Sequence, residues 1–306
     1  MRPASCRPAY WPTREGTVPN IACGTPGVAG GVGFVDVSVD ASVVSLIGIG
    51  LLTGVTTVLF GFGGGFVAVP VVVWADAALG ADAMRVAAAT SALVMAVNAG
   101  FATAVTPRRV LRELRGGGTL LLLLAAGAAA GAVATRLAPA GPARWAFVAY
   151  VAATIADLLL RPGFLRAGTG QAPAGAPAPL PARLGVPVGA IAAFLGVGGS
   201  VMTVPAMRRA GHTMRVATAL ANPLTLAIAV PAAAVSLAGA TIHAHPGAPA
   251  HLMGLVDLRA ASALLLGALP VIAVLRLRPP RIPDRPYAWT YIGLLAAVVI
   301  AMLLLP

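Results

Sequence analysis

The stretch "GFGGGFVAVP" at residues 61–70 lies inside a long apolar run and interrupts it with four glycines in five positions. Each glycine destabilises a helix by roughly 1 kcal/mol relative to alanine, which disfavours one uniform helix through the run. A second stretch, "GVGGSVMTVP" at residues 196–205, has a similar pattern. We therefore predict that two apolar segments each break at a glycine cluster.

The composition is that of a multi-pass membrane protein. The chain has 306 residues, of which 58% are hydrophobic and 10% charged, and its mean hydropathy is +0.90. A soluble domain carries about 25% charged residues. All 21 basic residues are arginine, and we interpret them as topology signals beside apolar spans rather than as a nucleic-acid surface. Cys6 and Cys23 fit no metal-binding spacing.

Eight charge-poor runs predict the membrane segments, since a crossing needs about 20 residues. They cover residues 41–75, 86–107, 116–135, 145–160, 184–207, a long run from 216, 260–275 and 286–306. The 35-residue first run suits two half-helices that meet at the glycines. Broken backbone at membrane depth is tolerated where protein or a polar cavity covers it, so the glycines mark a site.

The two halves of the chain repeat each other. Five residues of the first stretch recur 135 positions later: Gly61, Gly63, Gly64, Val69 and Pro70 match Gly196, Gly198, Gly199, Val204 and Pro205. The sequence "MRVA" at 84–87 also recurs at 214–217. Two matched blocks in the same order indicate an internal duplication.

The distribution of arginines indicates how the two repeats are oriented in the membrane. If each glycine segment crosses the membrane once, the two sides receive 10 and 11 arginines. If each segment enters and returns on one side, one side holds 14 arginines and the other seven. Because arginines concentrate on the cytoplasmic side, the second arrangement is favoured. The predicted fold is an all-α polytopic integral membrane protein of two inverted repeats, each a re-entrant helical hairpin plus three transmembrane helices.

The domain boundaries follow from this interpretation. The first repeat covers 41–160 and the second 184–306, joined by a Pro-, Ala- and Gly-rich cytoplasmic linker at 161–183. Residues 1–40 are rich in Pro and Gly and lack a signal-peptide pattern. We expect this tail either to be poorly ordered or to precede the true start of the chain, near Val35 to Val39.

The candidate substrate-binding residues surround the two breaks. A half-helix beginning at Gly65 or Ser200 exposes unpaired N–H groups and a positive dipole end, and two such ends suit an anion. Polar residues on the following crossings add hydrogen-bonding groups. The set is Gly61, Gly63, Gly64, Gly65, Thr90, Ser91, Asn98, Gly196, Gly198, Gly199, Ser200 and Asn222.

These residues also allow a purely structural interpretation. Small residues let helices pack closely, and Ser and Thr often bond a carbonyl of their own helix. Arg85 and Arg215, at equivalent repeat positions, either attract anions to the two mouths or lie at the interface as ordinary arginines.

Motifs for cofactors and catalysis are missing. His243, His245 and His251 lie in a Pro- and Gly-rich segment that fits no zinc spacing, so we predict a solvated loop there and no metal. No nucleotide, metalloprotease or nucleophile-elbow pattern occurs, and we predict neither a cofactor nor an enzyme. The acidic residues Asp76, Asp82, Asp157 and Asp257 all lie near predicted span ends, which favours export over uptake driven by a mid-membrane carboxylate.

The first glycine segment and the helix after it resemble a known family. "GLLTGVTTVLFGFGGGFVAVPVVV" at 50–73, followed by "MRVAAATSALV" at 84–94, is similar to the sulfite exporter TauE/SafE family, also called the TSUP permeases. The resemblance covers roughly residues 40–306. The second copy departs from the family pattern, because Ser200 replaces the last glycine and "ATALANP" replaces the Thr-Ser element.

The resemblance implies a permease for sulfite, sulfonates, sulfoacetate or related organic anions. We therefore expect a multi-pass transporter of the bacterial cytoplasmic membrane whose partners are a small anion and the lipid bilayer, without nucleic acid. The alternative is a membrane-embedded enzyme, sulfur-relay protein or sensor without transport activity. Substrate identity, direction and oligomeric state stay open.

Overall fold

A computed structural model of the chain describes residues 41–114, 117–138, 140–161, 163–165, 181–238, 252–278 and 282–304. All of them belong to one compact unit, Val39–Pro306. The tail at 1–40, most of the linker at 161–183 and the histidines His243, His245 and His251 lie outside the described residues.

The described part of the chain is almost entirely helical. Its helices are α1 (Ala41–Phe60), α2 (Gly65–Ala75), α3 (Ala83–Ala104), α4 (Arg108–Leu111), α5 (Gly118–Leu137), α6 (Ala140–Leu160), α7 (Gly185–Leu195), α8 (Ser200–Arg209), α9 (Met214–Ala238), α10 (Leu258–Leu277) and α11 (Asp284–Leu304). Short 3₁₀ turns occupy Ala77–Asp82, Arg112–Leu114 and Ala182–Leu184.

Six of the described helices are long and apolar enough to cross a membrane, judged by length and composition. They are Ala83–Ala104, Gly118–Leu137, Pro142–Leu160, Met214–Ala238, Leu258–Leu277 and Asp284–Leu304. Each coincides with a segment predicted from hydropathy. The shorter apolar helices Val44–Phe60, Gly65–Ala75 and Ala182–Leu195 belong to the two glycine segments.

The predicted breaks occur at the glycine clusters. α1 ends at Phe60 and α2 begins at Gly65, while α7 ends at Leu195 and α8 begins at Ser200. The predicted helix starts at Gly65 and Ser200 are therefore confirmed. In the first segment α1 is longer than the arm of about 12 residues that a half-helix requires, because its 20 residues reach about 30 Å.

Helices from the two halves pack across each other. α1 packs mainly along α10, and α7 packs mainly along α5. Small residues make this close approach possible: a Cβ at Gly54 would lie 2.6 Å from Ala268 O, and a Cβ at Gly189 would lie 2.1 Å from Leu124 O. α3 and α9 pack against each other, and both contact the broken helices.

One small element was not predicted by the all-α interpretation. Strands β1 (Leu252–Met253) and β2 (Val256–Asp257) form an antiparallel hairpin just before α10. Gly254 has φ 64°, which suits its turn. Leu255 and Val256 pack against Ala89 of α3, so the hairpin fixes the start of α10 beside that helix.

Candidate functional site

The first break is a turn of left-handed glycines. Gly61, Gly63 and Gly64 have φ of 73°, 64° and 81°, a region that glycine enters without strain. Every residue from 61 to 70 is buried. We call residues 61–64 the first turn; it delivers the chain to the start of α2 without a side-chain cap.

The second break has a different backbone. In residues 196–199, the second turn, Gly196 has φ 69°, whereas Gly199 is right-handed with φ −59°. α8 also starts without a side-chain cap. Gly64 and Gly199 match in sequence, yet only Gly64 requires a positive φ.

Each turn packs against the long helix of the opposite half of the chain, and the two contacts involve equivalent positions. A Cβ at Gly61 would lie 2.6 Å from Thr218 O and 3.0 Å from Ala221 Cβ on α9. A Cβ at Gly196 would lie 2.6 Å from both Ala88 Cα and Ser91 Oγ on α3. Ala88 and Ser91 correspond to Thr218 and Ala221 in the "MRVA" alignment. Each turn is therefore seated on the long helix of the opposite half.

Hydrogen bonds also join each turn to the long helix of the opposite half. Ser91 Oγ donates to Gly196 O at 2.9 Å, and Thr225 Oγ1 donates to Gly61 O at 3.3 Å. The turns also meet directly, since a Cβ at Gly198 would lie 2.9 Å from Phe62 O. Ser91 therefore supports the backbone of the site.

Several buried polar atoms around the turns have no hydrogen-bond partner within the described part of the chain. They are both amide atoms of Asn98, Oγ of Ser200, Oγ1 of Thr203 and Oδ1 of Asn222, on residues that are all 0% exposed. Buried polar groups are nearly always bonded, and leaving one unpaired costs about 1–3 kcal/mol. Their concentration on helices that contact the turns favours a ligand site.

Asn98 lies beside the first turn. Its Nδ2 is 2.9 Å from the position that a Cβ on Gly64 would take, and Thr53 Cβ and Thr57 Oγ1 lie 3.1 and 3.3 Å from the same position. The Thr53 and Thr57 hydroxyls donate to carbonyls of their own helix at 2.8 and 2.7 Å. The amide of Asn98 is thus an uncommitted donor next to the start of α2.

Ser200 and Thr203 provide hydroxyls on the first turn of α8. The Tyr291 hydroxyl donates to Ser200 O at 3.3 Å and fixes the backbone there. On α9, Asn222 Nδ2 donates one of its two N–H groups to Thr218 O at 3.2 Å, and its Oδ1 has no partner among the described residues. Asn222 therefore offers an acceptor and one remaining donor.

Three candidate residues make structural contacts instead. The Thr90 hydroxyl accepts a hydrogen bond from Asp257 N at 2.9 Å, which ties α3 to the start of α10. A Cβ at Gly65 would lie 2.3 Å from Met95 Cγ, so Gly65 provides close packing between α2 and α3. Arg85 is ion-paired with Asp82 at 2.8 Å and donates to Ala138 O, which favours its structural interpretation.

Thr225 and Thr203 lie at the site but were not among the residues predicted from the sequence. Thr218, Asn222 and Thr225 are spaced four and three apart, so they share one face of α9. That stripe was the available signal for Thr225. Thr203 carried no comparable pattern, because a single threonine in an apolar helix usually bonds its own backbone.

An aromatic cluster closes the space beside the first turn. Phe62 stacks on Phe66 with ring centroids 5.1 Å apart and also contacts Tyr291 at 5.1 Å. Phe164, from the segment after α6, packs on Tyr291 at 5.4 Å. All four side chains are fully buried, so the cluster excludes water from this side of the turns.

Metal coordination receives no support in the described ranges. They contain no group of three or more His, Cys, Asp or Glu side chains that could hold an ion.

The comparisons with known proteins give one match. A family model described as "Sulfite exporter TauE/SafE" matches residues 46–302, a range that includes both turns and all the helices that contact them. No curated protein and no solved structure matched the chain.

Proposed function

Because the chain belongs to the sulfite exporter TauE/SafE family, a family of anion transporters, we propose that it moves sulfite, sulfonates or related sulfur-containing anions across the bacterial cytoplasmic membrane. The six long apolar helices in the described ranges agree with a multi-pass membrane protein. We further propose export as its direction.

One observation carries the proposal: two uncapped helix starts meet beside unpartnered buried donors. α2 and α8 begin at Gly65 and Ser200, and the preceding turns touch through Gly198 and Phe62. A helix start carries roughly half a positive charge and points N–H groups outward. With Asn98 Nδ2 close to Gly64, this arrangement suits a small oxyanion.

The chemistry of the turns also supports a transporter rather than a tight binding protein. Residues 61–65 and 196–200 carry no charged side chain. Helix dipoles and neutral donors attract an anion less strongly than a buried arginine does, and transport requires release as well as binding. All of these residues are buried, so the described conformation encloses the site and substrate exchange requires helix movement.

The inverted arrangement of the repeats is supported by side-chain contacts at the helix ends. Arg209 Nη2 lies 2.6 Å from Asp157 Oδ2, and Arg144 Nη2 donates to Met302 O at 2.7 Å. With re-entrant glycine segments, both members of each pair belong to the same side of the membrane. With single crossings, each pair would join opposite sides of a core about 30 Å thick.

The direction follows from electrostatics. An anion that leaves a negative cell interior gains about 2.3 kcal/mol per charge for each 100 mV. Export therefore needs no added energy source when the anion is abundant inside, whereas uptake does.

Flux through purified protein tests the proposal. Proteoliposomes would be assayed with labelled sulfite, methanesulfonate and sulfoacetate, with and without an imposed membrane potential. We expect flux of at least one of these anions that accelerates when the potential drives it towards the positive side. Gly48→Ala is the matched control, because a Cβ there meets no atom within 4 Å.

The same assay separates the alternative functions. An enzyme, a sulfur-relay protein or a sensor gives no flux above empty liposomes. Absence of flux for every anion, from protein that melts cooperatively, would contradict the proposed function.

A further inference from the structure

Two buried carboxyl groups interact where α2 ends and α10 begins. Asp76 follows the last residue of α2, and Asp257 precedes the first residue of α10. They are 6% and 3% exposed. The transport site described above uses neither side chain.

The two carboxyl groups have different environments. Asp257 Oδ1 accepts hydrogen bonds from Arg259 N at 2.8 Å and Ala260 N at 3.1 Å, so it caps α10. Such bonds and the helix dipole favour a charged carboxylate. Asp76 Oδ2 has no partner among the described residues and is buried. Asp76 is therefore the member of the pair that is placed to hold a proton.

Electrostatics agree with this assignment. Burial, the charge of Asp257 and a side-chain hydrogen bond with Asp257 together raise the pKa of Asp76 from 3.8 to about 7, and burial contributes most. Two carboxylates in contact cannot both ionise easily. The other described charged groups near this end are Asp82 and Arg85, which pair with each other, and Arg259 on the first turn of α10. Arg276 lies in the last turn of α10, and Asp284 and Arg285 lie in the first turn of α11.

The pair is connected to both turns. α2 carries Asp76 at its end, and its start at Gly65 follows the first turn. Asp257 N donates to Thr90 Oγ1, and the next residue, Ser91, donates to Gly196 O of the second turn. A change in the distance between Asp76 and Asp257 therefore acts on α2 and α3 together.

We propose that Asp76 and Asp257 form a proton-binding site that couples proton binding to the movement of α2 during anion transport. One proton from water forms an O–H bond on Asp76 and stabilises the contact between α2 and α10. Its release to water leaves two carboxylates in contact, and their repulsion separates these helix ends. The coupling rests on the proposed function; the proton site does not.

The proton site is tested without transport, by melting temperature in detergent against pH. A folded-state pKa above the unfolded value stabilises the protein fully below 3.8, and this stabilisation is lost as pH rises through about 7. We expect the melting temperature to fall between about pH 5 and about pH 8. The fall should be smaller in Asp76→Asn and unchanged in Asp82→Asn. An Asp76→Asn profile that parallels the wild type would overturn the proton site.

The coupling is tested by methanesulfonate flux in proteoliposomes, because a sulfonate stays ionised across this range. We expect wild-type flux to change several-fold with the pH facing Asp76, as the ratio of protonated to ionised Asp76 changes about tenfold per unit. Asp76→Asn should transport without this dependence, and Asp82→Asn should behave as the wild type.

Each remaining outcome is decisive. If Asp76→Asn is inactive at every pH, Asp76→Glu has to restore pH-dependent flux, and failure of both overturns the coupling. Flux with the same pH profile in the wild type and Asp76→Asn also overturns it. If the wild type moves no anion at all, the proposed function and the coupling fail together, while the melting profile still decides the proton site.

Discussion

At Gly64 the backbone and the surroundings both require glycine. Its φ is 81°, and a Cβ would lie 2.9 Å from Asn98 Nδ2 and 3.1 Å from Thr53 Cβ. At Gly199, φ is −59°, and the added Cβ would meet only the flexible end of Ile228, at 2.5 Å. The two residues match in sequence but differ in what they tolerate.

This difference gives a prediction for alanine substitution. Gly64→Ala should lower stability by about 1–3 kcal/mol through backbone strain and abolish anion flux, because the methyl group also occupies the space beside Asn98. Gly199→Ala should retain most of both. Melting temperature in detergent, measured with and without sulfite, separates strain from lost binding. Equal effects of the two variants would show that φ is not the deciding property.

We expect Asn98 to hydrogen-bond the bound anion and to lower the stability of the protein when no anion is bound. Both of its amide atoms are buried and unpartnered, so replacement by an apolar group of similar shape removes about 1–3 kcal/mol of desolvation penalty. Asn98→Leu should therefore melt at the same temperature as the wild type or higher, yet lose the sulfite-induced shift. Thr106→Val is the control. The buried hydroxyl of Thr106, just after α3, already donates to Ala102 O at 2.7 Å, so it is not available to a ligand. A destabilised Asn98→Leu that still binds sulfite would make the residue structural.

At the scale of elements, helix pairs depend on small residues at defined positions. In α1, a Cβ at Gly54 would lie 2.6 Å from Ala268 O of α10, whereas a Cβ at Gly48 would meet nothing within 4 Å. The same helix thus contains one glycine that packs and one that does not.

A matched pair of variants tests this packing. Gly54→Ala should force α1 away from α10 and lower stability by about 1–3 kcal/mol, as overpacking does. Gly48→Ala should be neutral or slightly stabilising, because alanine favours helix by about 1 kcal/mol. Thermal melting of both variants in one detergent gives the comparison. Equal melting temperatures would mean that the α1–α10 contact contributes little to stability.

The sequence was sufficient for the helices but not for their cross-contacts. Hydropathy located the six long helices, and the glycine clusters located the starts of α2 and α8, because both signals are local. The length of α1 and the hairpin β1–β2 depend on packing against α10 and α3, which no local pattern encodes.

The residues of the candidate site were predictable where the signal was local, but their contacts with distant residues were not. The glycines and Asn98 follow from a broken apolar run and a mid-span amide. The pairing of Asp76 with Asp257 joins residues 181 positions apart, and each alone resembled an ordinary residue at a span end. The bond of Thr90 to Asp257 N was equally hidden, since it forms only when α10 starts beside α3.

At the scale of the whole molecule, the proposed transport site requires two broken helices that enter the membrane from opposite sides. The arginine distribution of 14 against seven favours this arrangement. The contacts of Arg209 with Asp157 and of Arg144 with Met302 also favour it. If the two segments entered from the same side, their helix starts could not face one anion between them.

Side-specific labelling of single cysteines tests this claim most directly. In a chain carrying Cys6→Ser and Cys23→Ser, Gly170→Cys and Ala248→Cys would be exposed separately to an impermeant maleimide in intact cells and in inverted vesicles. Arg112→Cys is the control, because both arrangements assign it to the side of residue 170. We expect Gly170→Cys and Arg112→Cys to label only in inverted vesicles and Ala248→Cys only in intact cells. Labelling of Gly170→Cys and Ala248→Cys from the same side would contradict the inverted arrangement.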